Sequence, residues 1–135
     1  MTPIQQLMLG VGASKKTYMD DVFSTYVYTG NGSARSLNNG IDLSGKGGLT
    51  WLKGRSVGYD HALQDTVQGT SKYLKSSSNQ ATETGVTDFI TSFNNNGFSL
   101  GTNSDINNDG TTYSSWSFRK APGFFDVVTW TGNAT

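Results

Sequence analysis

"YSSWSFRK", Tyr113 to Lys120, alternates more cleanly than any other stretch of the chain, and its reading decides the fold class. Large apolar residues stand at Trp116 and Phe118, and small or charged ones at Ser115, Ser117 and Arg119. Successive side chains of a strand point to opposite faces, so this period of two reads as a strand with one buried face. The pattern assigns Trp116 and Phe118 to the core and Ser115, Ser117 and Arg119 to solvent. Replacing Trp116 by alanine is then expected to cost roughly 3–5 kcal/mol.

Other short runs repeat the signal. "GGLTWLKGR" puts Leu49 and Trp51 on one face and Thr50 and Leu52 on the other. "VFSTYVYTG" sets Phe23, Thr25 and Val27 against Tyr26 and Tyr28, so both of its faces are partly apolar. "ITSFNNNGFSLG" reads as a hairpin, with Phe93 and Phe98 flanking a turn from Asn94 to Gly97. "STYVYTGNGSARSL" follows the same logic, turning at Thr29–Ser33 and starting a new strand near Ala34. Between Ser77 and Val86 a short helix competes with a loop, because Gly85 and a polar run weaken the helix. Strands separated by turn signals about every ten residues suggest an all-β antiparallel sandwich or barrel.

Composition agrees. The 135 residues include 17 glycines and only 15% charged residues, as in a turn-rich β protein of one domain. Seven Phe, six Tyr and three Trp supply much of the core's apolar area. Ten basic and ten acidic residues leave no net charge, so the summed field draws in neither nucleic acid nor an anionic membrane. No apolar run approaches the roughly 18 residues of a membrane span. With no cysteine there is neither a disulfide scaffold nor a thiolate metal site, which suits assembly in a reducing cytoplasm.

Motifs that would carry chemistry are incomplete. "DINNDG" opens like a calcium loop, with Asp105, Asn107 and Asp109 at alternate positions, but Trp116 stands where the bidentate glutamate belongs. His61 lies beside Asp60, which a strand would turn to the opposite face, so no triad forms there. Glycan hydrolysis requires two carboxylates about one bond, and Glu83 is the only glutamate. The expectation is a non-enzyme with no cofactor. By residue type alone, Tyr26, Tyr28, Tyr59, Tyr73 and Tyr113 are candidates for stacking on a sugar.

Two features concern assembly. Residues 1–20, "MTPIQQLMLGVGASKKTYMD", carry Ile4, Leu7 and Met8 on one potential helical turn and read as an extended or short helical arm that docks on another protein. The chain also closes on "FDVVTWTGNAT", Phe125–Thr135, which shares Phe, Thr, Gly and Asn with "FSTYVYTGNGS", Phe23–Ser33. Either the two stretches pair as strands of one sheet, or the second opens a further β unit.

In this order, "DDVFSTYVYTGNGSARSLNNGIDL", "GGLTWLKGRS", "FNNNGFSLG" and "SWSFRKAPGFFDVVTWTGN" resemble a domain of tail-fibre-like virion structural proteins of marine bacteriophages. The likeness runs from about Asp20 to Asn133. It implies a jelly-roll or concanavalin A-like sandwich over residues 21–123, an anchoring arm over 1–20, and a last strand or new β unit over 124–135. It also implies residence in the virion, contacts with other tail or capsid proteins, and a homo-oligomer, with three copies as in many fibres. Tyr26, Tyr28, Val128 and Trp130 are the expected partner surface. The alternatives are a capsid decoration protein and a glycan-binding module for host attachment.

Overall fold

The computed structural model describes residues 16–134. The Ile4, Leu7 and Met8 arm lies outside those residues. A helical turn, α1 (Met19–Val22), leads into β1 (Phe23–Thr29). The chain continues through β2 (Arg35–Asn38), a second turn α2 (Leu43–Lys46), β3 (Gly48–Gly54) and β4 (Ala62–Asp65). Next come the short β5 (Lys72–Tyr73) and β6 (Glu83–Thr84), then β7 (Ile90–Asn94) and β8 (Gly97–Leu100). A third turn, α3 (Ser104–Asn107), precedes the longest strand, β9 (Thr112–Arg119).

These strands form an antiparallel β-sandwich. One sheet has the order β1-β9-β3-β4, the other β2-β8-β7, and β5 and β6 make a small ribbon. The expected hairpin is present, with Phe93 opposite Phe98 and Asn94 opposite Gly97. Its turn needs glycine at one position only: Gly97 has φ 153°, and a Cβ there would overlap the Leu37 carbonyl oxygen. The "TGNGS" turn instead carries the chain between sheets, since β1 pairs with β9 and β2 with β8. The Ser77–Val86 stretch is loop, interrupted only by β6.

Between the sheets, Tyr28, Leu52, Ala62 and Tyr113 of the first meet Leu37, Ile90, Phe98 and Leu100 of the second. Ile41, Leu43 and Ile106, on the connections, complete this core. Gln64 ties the layers through polar bonds: its Nε2 donates to Thr70 O at 2.9 Å, and its Oε1 accepts from Ile90 N at 2.8 Å. It is buried, and both ends of its amide are satisfied.

The strand that decides the fold class is real, but its phase is inverted. Ser115 and Ser117 are fully buried, whereas Trp116 and Phe118 lie half-buried on the outer face. Alternation defines two faces without saying which meets the second sheet. Large neighbours already occupy the inner face of β9, so small hydroxyls fit between them. Ser115 Oγ donates to Tyr26 O at 3.2 Å. Ser117 Oγ accepts from Asn39 Nδ2 at 2.8 Å and lies 3.2 Å from Thr50 Oγ1. Hydroxyls satisfied in this way are buried at little cost.

Candidate functional site

The outer face of the four-stranded sheet is built from alternate residues brought level by the strand register. One row runs Phe23, Phe118, Leu49 and Asp65, and the next Thr25, Trp116, Trp51 and Leu63. A third holds Val27, Ser114 and Lys53. Two adjacent rows are therefore apolar over most of the sheet's width.

Within the rows the rings pack on one another. Trp51 and Trp116 meet edge to face with centroids 5.6 Å apart, and Phe23 and Phe118 lie 5.0 Å apart. Phe125, arriving from the chain's last segment, covers Phe118 at 5.3 Å. On the far side Trp51 Nε1 donates to His61 Nδ1 at 2.8 Å, which fixes the indole and satisfies its N–H. These contacts leave the rings half-buried, with no second layer over them among the described residues. Val27, at the margin, is 58% exposed.

A polar border surrounds the face. Lys53 Nζ donates to Tyr59 O at 2.7 Å. Lys75 reaches Glu83 at 3.2 Å and Asp60 at 3.9 Å, and the Glu83 hydrogen bond holds the ammonium above its usual range. Ser77 donates to Asp60 Oδ1 at 2.9 Å and accepts from His61 N. The His61–Asp60 neighbourhood is thus a hydrogen-bonded rim, with His61 Nδ1 committed to Trp51.

The closing segment is not a strand. Ala121 and Phe125 form an isolated bridge, Lys120 and Asp126 pair at 3.0 Å, and the chain then runs without regular structure. The Lys120 hydrogen bond draws the Asp126 carboxyl below its usual range. Residues Val127–Trp130 border a shallow groove with Leu49, Asp65, Gln68 and Leu74. Val128 and Trp130 are 70% and 84% exposed. The pairing of this segment with β1 is corrected: β1 pairs with β9, and no described residue of 126–134 joins a sheet.

The tyrosines of the expected partner surface sit elsewhere. Tyr28 is a core residue, stacked on Tyr113 at 5.1 Å with its hydroxyl donating to Ile106 O at 2.7 Å, and burial raises its pKa far above the usual phenol range. Tyr26 shares that inner face and packs against the core. Both follow from the phase of β1, which turns Phe23, Thr25 and Val27 outward. Of the sugar-stacking candidates, Tyr28, Tyr73 and Tyr113 are buried.

The calcium-like loop has a structural task. Asn107 is fully buried, with Nδ2 donating to Ser33 O and Gly101 O at 2.8 Å each and Oδ1 accepting from Asn31 N at 3.2 Å. Its side-chain oxygen faces the "TGNGS" turn, while Asp109 is exposed. Among the described residues no three His, Cys, Asp or Glu side chains gather closely enough to hold a metal ion.

Sequence reasoning missed Trp51, Trp116, Phe23, Phe118 and Val27 as surface residues. Each was visible as part of an alternation; the missing information was which face the second sheet would cover.

A family model described as a domain of unknown function, DUF7483, matches residues 19–135. No curated protein and no solved structure matches the chain. The described residues contain no helix long and apolar enough to cross a membrane. The chain belongs to this family, and the match covers the entire sandwich.

Proposed function

We propose that this member of the family is a structural protein of a bacteriophage particle, the particle-proximal part of a tail fibre, attached through residues 1–20 and assembling with other copies. The observation that carries the assembly half is the outer face: two adjacent rows with Phe23, Phe118, Trp116 and Trp51 in register, beside exposed Val128 and Trp130. Soluble monomers seldom leave so many large apolar side chains together in water, and a contiguous patch rimmed by polar groups marks a protein contact. The virion half rests on the four ordered motifs and their resemblance to tail-fibre-like proteins.

Capsid decoration would use the same domain at another location, and an image reconstruction of the particle distinguishes the two by where density for this chain lies. The glycan-binding alternative draws less support, because Tyr28, Tyr73 and Tyr113 are core residues and the Trp51 and Trp116 planes meet at 61° rather than forming one flat platform.

The attachment half is tested by deleting residues 1–16. The expected result is an unchanged thermal transition and loss of the chain from purified particles. Undiminished incorporation would rule the arm out as the anchor.

A further inference from the structure

The backbone of β1 has an open side. Gly30 N donates to Thr111 O at 2.8 Å, Arg55 N to Thr112 O at 2.7 Å, and Lys120 N to Gly47 O at 2.8 Å. In an antiparallel ladder, alternate residues bond the same neighbour. Odd-numbered residues of β9 therefore bond β1, and even-numbered ones bond β3. Carried through the register, Ser24, Tyr26 and Tyr28 bond β9, while Thr25 and Val27 turn both N–H and C=O, and Phe23 its C=O, away from the sheet; the Phe23 N–H closes α1 on Met19 O. Thr29, of the same parity, has its carbonyl capped by the Arg35 guanidinium. Among the described residues, none pairs with β1 on that side.

Natural sheets guard such edges with charge, proline or a bulge. "FSTYVYT" has no charged residue and no proline, and its seven-residue pairing with β9 is unbroken. The sheet's other edge is occupied: Leu63 of β4 exchanges both backbone bonds with Leu74 at 2.9 Å.

We infer that β1 is an assembly edge on which a second copy of this chain pairs its own β1, antiparallel, about a twofold axis at Thr25. This rests on the assembling reading above and names the partner. In that register Thr25 faces Thr25 and Phe23 faces Val27 of the second copy, so the Thr25 N–H and C=O, the Val27 N–H and the Phe23 C=O all find partners, while the Phe23 N–H stays on Met19 O. The Phe23–Val27 pair lies on the outer face, an aromatic against a β-branched side chain, which favours cross-strand packing. It covers Val27 and extends the Leu49–Phe118–Phe23 row across the join. The ends match in charge as well. Asp20, exposed in the turn just before β1, comes beside Arg35 of the second copy, and the twofold axis repeats the contact at the other end. A self-complementary patch of this kind is what an isologous dimer requires.

Sedimentation of the full chain, followed as a function of concentration, tests the pairing. The expected mass is twice 14.5 kDa. Val27→Lys and Thr25→Pro return it to 14.5 kDa with the thermal transition retained. The proline is tolerated because the Thr25 N–H points off the sheet. Because the chain has no cysteine, Thr25→Cys should cross-link into a dimer under mild oxidation, and Thr29→Cys should not. A monomer at all concentrations overturns the inference, as does a dimer indifferent to all of these changes. A monomer that still enters particles overturns the edge pairing and leaves the virion reading standing. A β1-paired dimer absent from particles does the reverse.

Discussion

Trp51 and Trp116 stand opposite each other in the β3–β9 register, edge to face at 5.6 Å, on the side of the sheet turned away from the core. Their place makes them a surface pair, which changes what their loss should cost. Trp116→Ala removes half-buried area and is expected to lower stability by about 1–2 kcal/mol. Phe98→Ala, at a fully buried core position, should cost about 3–5 kcal/mol. Chemical denaturation of the two variants checks the order, and an equal loss would mean that the outer face is covered in the free protein.

The two "TGN" stretches should respond differently to the same substitution. A Cβ on Gly30 would overlap the Asn108 carbonyl, while one on Gly132 meets nothing within 4 Å. Gly30→Ala is therefore expected to cost about 1–3 kcal/mol or more, and Gly132→Ala almost nothing. Melting temperatures of the pair measure this directly.

Asn107 joins the Asn31–Ser33 turn to Gly101 with three side-chain bonds. Asn107→Ala leaves two carbonyls and an amide without those partners, at a cost of about 3 kcal/mol or more. Since that side chain serves the fold, adding calcium or a chelator to the wild type should leave its melting temperature unchanged.

Alongside Tyr73 and Tyr113, whose pKa values burial also raises, Tyr28 makes the fold lose stability at alkaline pH. Burial, with a smaller contribution from Tyr113, raises its folded pKa, while Arg35 opposes the shift. The stabilisation is complete below the ordinary tyrosine value of about 10 and is lost as pH rises from there towards the folded value. This one group gives a loss of up to about 1.4 kcal/mol per pH unit. Tyr28→Phe should cost about 1–2 kcal/mol at neutral pH by leaving Ile106 O unpaired, and should make the alkaline decline shallower by one proton. Denaturant titrations between pH 8 and roughly 12 read both effects.

The sandwich, the Phe93–Phe98 hairpin and the alternating faces of β1 and β3 were legible in the sequence because each is a local period or turn signal. The phase of β9 was not. Ser115 and Ser117 belong inside because Tyr26, Leu52 and their neighbours fill the inter-sheet space, and that is set by strands distant in sequence. The same gap hid the outer face, whose rows exist only once β1, β9, β3 and β4 are laid side by side. Chemical similarity between Phe23–Ser33 and Phe125–Thr135 likewise gave no information on pairing: β1 pairs with β9 on one side, and no described residue of 126–134 joins its other side. Asn107 looked like a ligand because a calcium loop and a loop clamp draw on the same residue types, and only its buried bonds tell them apart.

The central claim is that this domain is built to be part of a particle. Mass spectrometry of density-purified phage particles, from infections with wild-type and Trp116→Ala forms, tests it most directly. The account predicts peptides of this chain in wild-type particles at a fixed ratio to other virion proteins, and their loss in the variant although the protein is folded in the lysate. Finding the wild-type chain only in the soluble lysate, and never in the particle, would contradict it.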